Sequence, residues 1–271
     1  MDSILAVSVV LYNTPPSDIE SCLASLKQYN GNARIFIVDN SPTDVLKKHL
    51  QGANVNYLHN PSNPGFGAAH NIALRQSSSE GFVYHLIINA DVSFSTDVLS
   101  PMLDYMEKNN SVGHLMPKVL NSDGSVQRLC KLVPTPADLL FRRFLPKKLA
   151  AASNRHFELH GSGYEKIMFV PYLSGCFMLL RNSALRDIGL FDERFFMYPE
   201  DIDLTRRMAE KYDTVFYPSV SVYHQHGAAS KKSLRMLTVH ITNLVRYFNK
   251  WGWFFDSGRV ALNARTLAQF R

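Results

Sequence analysis

Glu200 and Asp201 stand side by side after an aromatic run, Phe195-Phe196-Met197-Tyr198, at the start of a stretch with a helical pattern. Helix dipole and free backbone N–H groups stabilise carboxylates there, and a carboxylate beside an apolar wall can be tuned into a general base. Plain helix capping is the alternative. About two dozen residues later, His224 and His226 close an apolar strand beside a glycine. Alternate strand residues share a face, so the two imidazoles can serve one metal ion or phosphate, although a lone histidine is more often structural. Asn89-Ala90-Asp91 follows the apolar run ending at Ile88. An amide oxygen and a carboxylate at that spacing can face one hard cation, or simply make a turn. A base and metal ligands in one chain describe an enzyme rather than a passive module.

Further polar clusters end apolar runs in the same way. Tyr12-Asn13 is one and Asp39-Asn40 another. Asp39 can accept from a base N–H or a ribose hydroxyl, or cap a turn together with Asn40 and Ser41. Asn63-Pro64-Gly65-Phe66-Gly67 precedes a helix carrying His70 and Asn71. Its glycines let backbone approach a ligand closely, and a helix N-terminus favours anions; an ordinary turn is the alternative.

The elements that must position these residues alternate between strand and helix. Residues 4–11 form a continuous, β-branched apolar run, the pattern of a buried parallel strand. Ser17 is predicted to start a helix, with Glu20 completing a capping box and Ile19, Cys22, Leu23, Leu26 and Tyr29 facing inward. Strands are predicted over 35–38, 55–58 and 82–88, with a polar helix between the first two and another helix over 68–76. This alternation argues for a mainly parallel α/β sheet flanked by helices. In such sheets ligands bind beyond the carboxyl ends of the strands, where Tyr12, Asp39, Asn89, Asp91 and His224 all fall. Residues 112–169, punctuated by Pro134, Pro136 and Pro146, read as an irregular, mobile region over the site. A strand over 173–181, a helix over 199–212, a strand over 215–223 broken by Pro218, and helical residues from about 234 complete the reading. The chain divides into an α/β domain, 1–230, and a C-terminal helical, basic and aromatic segment, 231–271.

Composition sets the outer bounds. A chain of 271 residues, 46% hydrophobic, is ample for a buried core. Cys22, Cys130 and Cys176 are odd in number, far apart and set among apolar residues, which reads as buried free thiols in a reducing, cytoplasmic setting. The N-terminus lacks the basic and cleavage features of a signal peptide, and no run of 18 apolar residues occurs. The net charge of +6 favours phosphates, anionic lipid surfaces or nucleic acid; with no nucleic-acid-binding motif, nucleic acid is the weakest of the three. Lys231, Lys232, Arg235, Arg246 and Lys250 mix with Tyr247, Phe248, Trp251, Trp253, Phe254 and Phe255. That mixture suits an anionic membrane interface, or an amphipathic helix packed on its own domain.

Taken in order, VSVVLYN (7–13), IVDNS (37–41), NPGFGAAHN (63–71), INAD (88–91), SGCFMLLR (174–181), GLFDERFFMYPEDIDLTRRM (189–208) and VYHQHGAAS (222–230) resemble the inverting family 2 glycosyltransferases of GT-A fold, and among them bacterial rhamnosyltransferases. The likeness covers residues 4–255. It implies that Tyr12, Asn13, Asp39 and Asn40 bind the nucleotide, and that Asn63, Gly65, Gly67 and Asn71 line the donor. It further implies that Asp91, with Asn89 at the first position of the metal motif, meets a divalent cation, Mg²⁺ or Mn²⁺, completed by His224. Asparagine brings an oxygen but no charge. Asp201, with Glu200 beside it, matches the acidic pair that supplies the base, and Asp192, Phe196 and Tyr198 fall on the acceptor side. The resemblance favours dTDP-L-rhamnose as donor and a polyprenyl-diphosphate-linked N-acetylglucosamine as acceptor, at the cytoplasmic face of the inner membrane in surface-polysaccharide synthesis. Two other readings stand beside it. A non-catalytic sugar-nucleotide or glycan-binding protein would not need the acidic pair. A nucleotidyltransferase would want a glycine-rich, lysine-bearing loop where Tyr12-Asn13-Thr14-Pro15-Pro16 stands.

Overall fold

The computed structural model describes residues 5–50, 52, 54–141, 154–225 and 234–270. Its first half follows the predicted alternation: β1 (Leu5–Leu11), α1 (Pro16–Leu26), β2 (Ala33–Asp39), β3 (Val55–His59), α2 (Phe66–Ser79), β4 (Tyr84–Ile88) and β5 (Val92–Ser93). Then come α3 (Leu99–Lys108), β6 (Val112–Leu120), β7 (Cys130–Lys131), β8 (Met168–Phe169), β9 (Tyr172–Leu173) and β10 (Phe177–Arg181). The chain continues through α4 (Asn182–Ile188), α5 (Glu200–Ala209), β11 (Asp213–His224), α6 (Leu234–Trp251) and α7 (Ser257–Ala268).

The main sheet runs β3-β2-β1-β4-β10-β6-β11-β5, with β8 joined to β11, and β7 pairs with β9 in a separate ribbon. β3, β2, β1 and β4 are parallel neighbours, and β10 enters antiparallel between β4 and β6. The period-two pattern decides the packing. Val7, Val9, Leu86, Ile88 and Leu179 face Ile19, Cys22, Met102 and Met106 of α1 and α3. Ile87, Met178 and Leu180 face the opposite way, toward Leu74, Leu204 and Met208 of α2 and α5. On that face Ser8 and His85 are satisfied internally: the Ser8 hydroxyl meets His70 Nδ1 at 2.7 Å and His85 Nε2 at 2.8 Å. Burial pushes the His85 pKa down to about 3, so this chain of groups stays neutral. His70, on the glycine-led helix, is therefore a core residue.

Several expectations are corrected. α1 begins at Pro16, a residue well suited to a first helical position. Ser17 instead donates to Asp18, and Glu20 pairs with His49, so no capping box forms. Among the described residues between β2 and β3, only one tight turn, Lys47–His49, is helical. Residues 112–120, expected to be irregular, form an interior strand; Gly113 and Pro117 obscured an otherwise apolar run. Gly113 makes room for Met208 and Tyr212. The predicted 173–181 strand is split into β9 and β10 by Ser174-Gly175-Cys176. Pro218 lies where β11 shifts register against β6, between Tyr217 and Ser221, rather than breaking the strand. Residues 142–153 of the middle region, and His226, lie outside the described residues. The three cysteines are free and buried.

The C-terminal helices dock on α5. Tyr247 and Phe248 bury against Phe195 and Ile202. Arg206 clasps Asp256 through two hydrogen bonds, at 2.7 and 2.5 Å, and stacks on Trp251. Asp203, fully buried, receives Arg207 at 2.9 Å, Lys250 at 2.7 Å and Trp251 Nε1 at 2.8 Å.

The two loop glycines serve packing between elements. Gly65 has φ +103°, and a Cβ there would overlap the Phe196 carbonyl, which accepts from Phe66 N at 3.0 Å. Gly67 lies against Phe191. Gly65→Ala is expected to cost about 2–3 kcal/mol, through left-handed strain and the forced separation of α2 from the 191–198 loop; a urea denaturation midpoint checks this.

Candidate active site

The topology gathers one edge. β1, β2 and β4 are parallel, so Tyr12, Asp39 and Asn89 emerge together. Phe177 pairs with Ile88, which sets the start of antiparallel β10 beside the end of β4. Tyr223 pairs with both Leu120 and Ser93, and His224 with Val92, so the end of β11 joins the same edge.

At one side lie the residues after β1 and β2. Asp39 is fully buried and accepts from Ser41 N at 2.9 Å and from the Tyr57 hydroxyl at 2.7 Å. Burial, then the bond to Asp39, raises the Tyr57 pKa, so the phenol stays a donor. Asn40 is buried and receives Asn60 at 3.2 Å. Tyr12 is 54% exposed, and Asn13 takes a left-handed turn, φ 49°, with its N–H on Ser41 Oγ. The arrangement is a rigid shelf with an exposed aromatic ring at its rim.

Asn63 turns left-handed, φ 44°, ahead of Gly65. Asn71 is buried, and its amide both donates to the Phe191 carbonyl and accepts from the Phe191 N–H, at 2.9 and 3.0 Å; it also donates to Glu193 at 2.9 Å. Gly65, Gly67 and Asn71 thus hold the 191–198 loop in place.

In the middle of the edge, Asp91 Oδ1 lies 3.3 Å from His224 Nε2. Gln127, absent from the sequence-level candidates, fixes the imidazole. Its amide N–H donates to the His224 carbonyl at 2.7 Å, which leaves its Oε1 to accept from His224 Nδ1 at 3.0 Å. With the proton on Nδ1, Nε2 presents a lone pair toward a carboxylate. Two acceptors facing each other call for a proton or a cation between them. Nothing in the local sequence around Gln127, on a loop 97 residues away, announces this partnership. Among the described residues no group of three or more His, Cys, Asp or Glu gathers to hold a metal. Any cation here would rest on Asp91 and His224 and take its remaining ligands from elsewhere.

The acidic pair completes the edge. Glu200 and Asp201 begin α5, in the same first turn as the anchored Asp203. Asp201 is half-buried, and its carboxylate accepts from Gly175 N at 3.1 Å and Ile202 N at 2.8 Å. Gly175 is needed for this contact, since a Cβ there would lie 3.2 Å from Asp201 Cβ. Glu200 is buried, and its Oε2 has no hydrogen-bond partner among the described residues. Burial first, then the Asp201 charge, drives the Glu200 pKa well above the carboxylate range. Burial also raises Asp201, opposed by its two backbone donors and by Lys131. The geometry favours Asp201 as the charged member of the pair, since Gly175 N and Ile202 N hold its carboxylate while one Glu200 oxygen lacks a partner among the described residues. Cys176, beside both Asp91 and Asp201, is pushed up to about 12, mainly by burial, and is no nucleophile.

On the remaining side, Asp192 is occupied by Arg194 at 2.6 Å and Lys250 at 2.9 Å. Phe195 is core, and Phe196 is half-buried. Tyr198 takes φ 64° and sets its ring edge-on to His240, 4.7 Å between centroids.

The family model for glycosyl transferase family 2 matches residues 6–189 of this chain. The chain belongs to glycosyltransferase family 2. It is an enzyme, a glycosyltransferase, with the GT-A architecture. It is 30% identical over 246 residues, 85% of this chain and 78% of the relative, to the N-acetylglucosaminyl-diphospho-decaprenol L-rhamnosyltransferase of Mycobacterium tuberculosis. It is 24% identical over 204 residues to the low-salt glycan biosynthesis hexosyltransferase Agl10 of Haloferax volcanii, covering 75% of this chain and 61% of that relative. Among solved structures, GalNAc-T7 with UDP, GalNAc and Mn²⁺ superposes with a TM-score of 0.65 at 15% identity, over 92% of this chain and 48% of that one. Staphylococcus aureus TarS 1–349 with UDP gives 0.58 at 15% identity, over 97% and 70%. These two likenesses are of fold.

The buried Glu200 gives this glycosyltransferase a measurable signature. Its pKa is higher folded than unfolded, so between those two values the folded state binds more protons and stability falls as pH rises. Glu200→Gln is expected to raise the denaturation midpoint at pH 8 and to leave it nearly unchanged at pH 4.

Proposed function

We propose that this glycosyltransferase moves L-rhamnose from dTDP-L-rhamnose to a polyprenyl-diphosphate-linked N-acetylglucosamine, with inversion at the transferred carbon. The observation that carries this reading is Asp201: a single charged carboxylate at the strand-end edge, held by the Gly175 and Ile202 amides beside a neutral Glu200. The mycobacterial relative supports the choice of sugar and acceptor class.

In this reading Asp201 accepts the proton of the acceptor hydroxyl as that oxygen attacks the anomeric carbon, and the carbon–oxygen bond to the nucleoside diphosphate breaks on the opposite face. The Gly175 and Ile202 N–H groups fix which carboxylate oxygens are engaged and leave the other lone pairs for the hydroxyl. Tyr12, Asn13, Asp39 and Asn40 form the shelf assigned to the nucleotide, with Asn63, Gly65, Gly67, Asn71 and Asn89 along the donor side. Asp192, braced by Arg194 and Lys250, faces the acceptor together with Phe196 and Tyr198 from the loop that α2 clasps. A divalent cation, Mg²⁺ or Mn²⁺, fits the paired acceptors of Asp91 and His224, and when bound it offsets charge on the leaving diphosphate. The enzyme works at the cytoplasmic face of a membrane that holds the acceptor lipid.

Purified enzyme, offered dTDP-rhamnose and a panel of UDP- and GDP-sugars with a lipid-diphosphate N-acetylglucosamine, is expected to transfer rhamnose. Transfer from another donor only would overturn the sugar assignment. Asp201→Asn is expected to lower kcat by about 10²–10⁴-fold with nucleotide affinity retained; activity at the wild-type level removes Asp201 as the base. Gln127→Leu, which releases the His224 ring, is expected to lower apparent metal affinity by about 10–100-fold in a Mn²⁺ titration followed by calorimetry with nucleotide present.

A further inference from the structure

Phe254 and Phe255, in the turn between α6 and α7, are 78% and 98% exposed. Adjacent phenylalanines left in water need a reason, and here the turn that presents them is built. Gly252 takes φ +99°, and a Cβ on it would come within 2.6 Å of the Phe255 carbonyl. Arg259 donates to the Phe254 carbonyl at 3.1 Å. The next residue, Asp256, is buried, caps α7 through Arg259 N and is clasped by Arg206. Trp253 is tied to Asn249 at 2.8 Å and lies against Phe248. The two rings are thus held outward by a fixed backbone.

The charge distribution says what surface would meet them. By sequence, residues 231–271 contain eight lysines and arginines against one acid, Asp256; Asp256 pairs with Arg206, and of the eight Lys250 pairs with Asp192 and Asp203, and Arg265 with Asp213. The preceding 230 residues hold 21 basic and 22 acidic side chains. The positive charge of the whole chain therefore resides in the segment that carries the exposed rings. No helix among the described residues is long and apolar enough to cross a membrane.

We infer that Phe254 and Phe255 are a wedge that inserts into the interface of an anionic bilayer, with the basic C-terminal segment drawn to the headgroups. The inference deepens the lipid-linked acceptor reading and rests on it for its biological sense, though not for its physics. α6 also braces the acceptor-side loop: Asn243 donates to the Met197 carbonyl at 2.8 Å, and Arg246 to the Arg194 carbonyl at 2.7 Å. The helix that leads to the wedge thereby holds the loop that would meet the acceptor.

The test uses the full chain and sedimentation with vesicles of phosphatidylcholine alone, or with 30% phosphatidylglycerol added (about 30 mol %, enough for a surface potential). The wild type is expected to bind the anionic vesicles, to release in 0.5 M salt (about 4 Å of screening length), and to show a blue shift of tryptophan emission. Phe254→Ser/Phe255→Ser is expected to weaken binding about tenfold or more, while transfer to a water-soluble acceptor analogue stays at the wild-type level. Equal vesicle binding by the two proteins overturns the wedge, as does no binding by either. A wild-type dimer that the double substitution converts to monomer overturns it too, in favour of a second copy as occupant. Vesicle binding needs no donor or acceptor. Binding without transfer to the lipid-linked sugar would thus count against the proposed substrate and leave the wedge standing.

Discussion

Asp203 is a fully buried carboxylate with three donors around it, and the placement of the reacting edge depends on that one knot. It lies two residues beyond Asp201 on the same helix. Arg207 reaches from it to the carbonyls of Ile188, Gly189 and Leu190, closing the end of α4. Lys250 and Trp251 bring in α6, and Arg206 brings in α7 through Asp256. Removing one partner from such a buried pair leaves an uncompensated charge and typically costs about 3–5 kcal/mol. α5 is therefore fixed from its solvent side by ions and from its sheet side by Leu204 and Met208. Its first turn, with Glu200 and Asp201, has no freedom to wander. The C-terminal helices are part of how the acidic pair is positioned.

The 191–198 loop is fixed by the same logic from two sides. Asn71 and the two glycines of α2 hold its beginning and middle, and α6 holds its end. A change of identity at Gly65 or Asn71 would be felt along the whole 191–198 loop. The unpartnered Glu200 oxygen in the middle of this rigid frame is a cost that the fold tolerates. Its consequence is a single negative charge localised where two backbone amides wait for it.

Much of this was legible from the residues. The strand-end clusters were readable because buried parallel strands are near-continuous apolar runs, and the polar residue that ends each run marks the functional edge. Asp91 and His224 stood out for that reason, and Asp201 because it opens a helix behind an aromatic run. Other parts depend on long-range contacts that leave no local mark. Gln127 sits in a loop and meets His224 only in three dimensions. The glycines of 63–67 read as ligand cradles, and the structure also sets a neighbouring loop against them, since close approach of any backbone imposes the same requirement. Asp192 pairs with Lys250 and Arg194, contacts that its sequence neighbourhood alone does not announce. β6 was hidden because Gly113 and Pro117 interrupt its pattern, and Gly113 is explained only by Met208 and Tyr212, distant in sequence. The tail was read as either packed or membrane-facing, and its residues divide: Tyr247 and Phe248 are buried, Phe254 and Phe255 exposed.

The central claim is that one carboxylate of the pair, Asp201, does the proton transfer in its charged form while Glu200 stays neutral. The pH dependence of kcat/KM tests it most directly. The account predicts an acid limb governed by one ionisation, falling one log unit per pH unit, with a midpoint above the ordinary aspartate range and preserved in Glu200→Gln. A limb of slope two, or one that disappears when Glu200 is replaced, would contradict it.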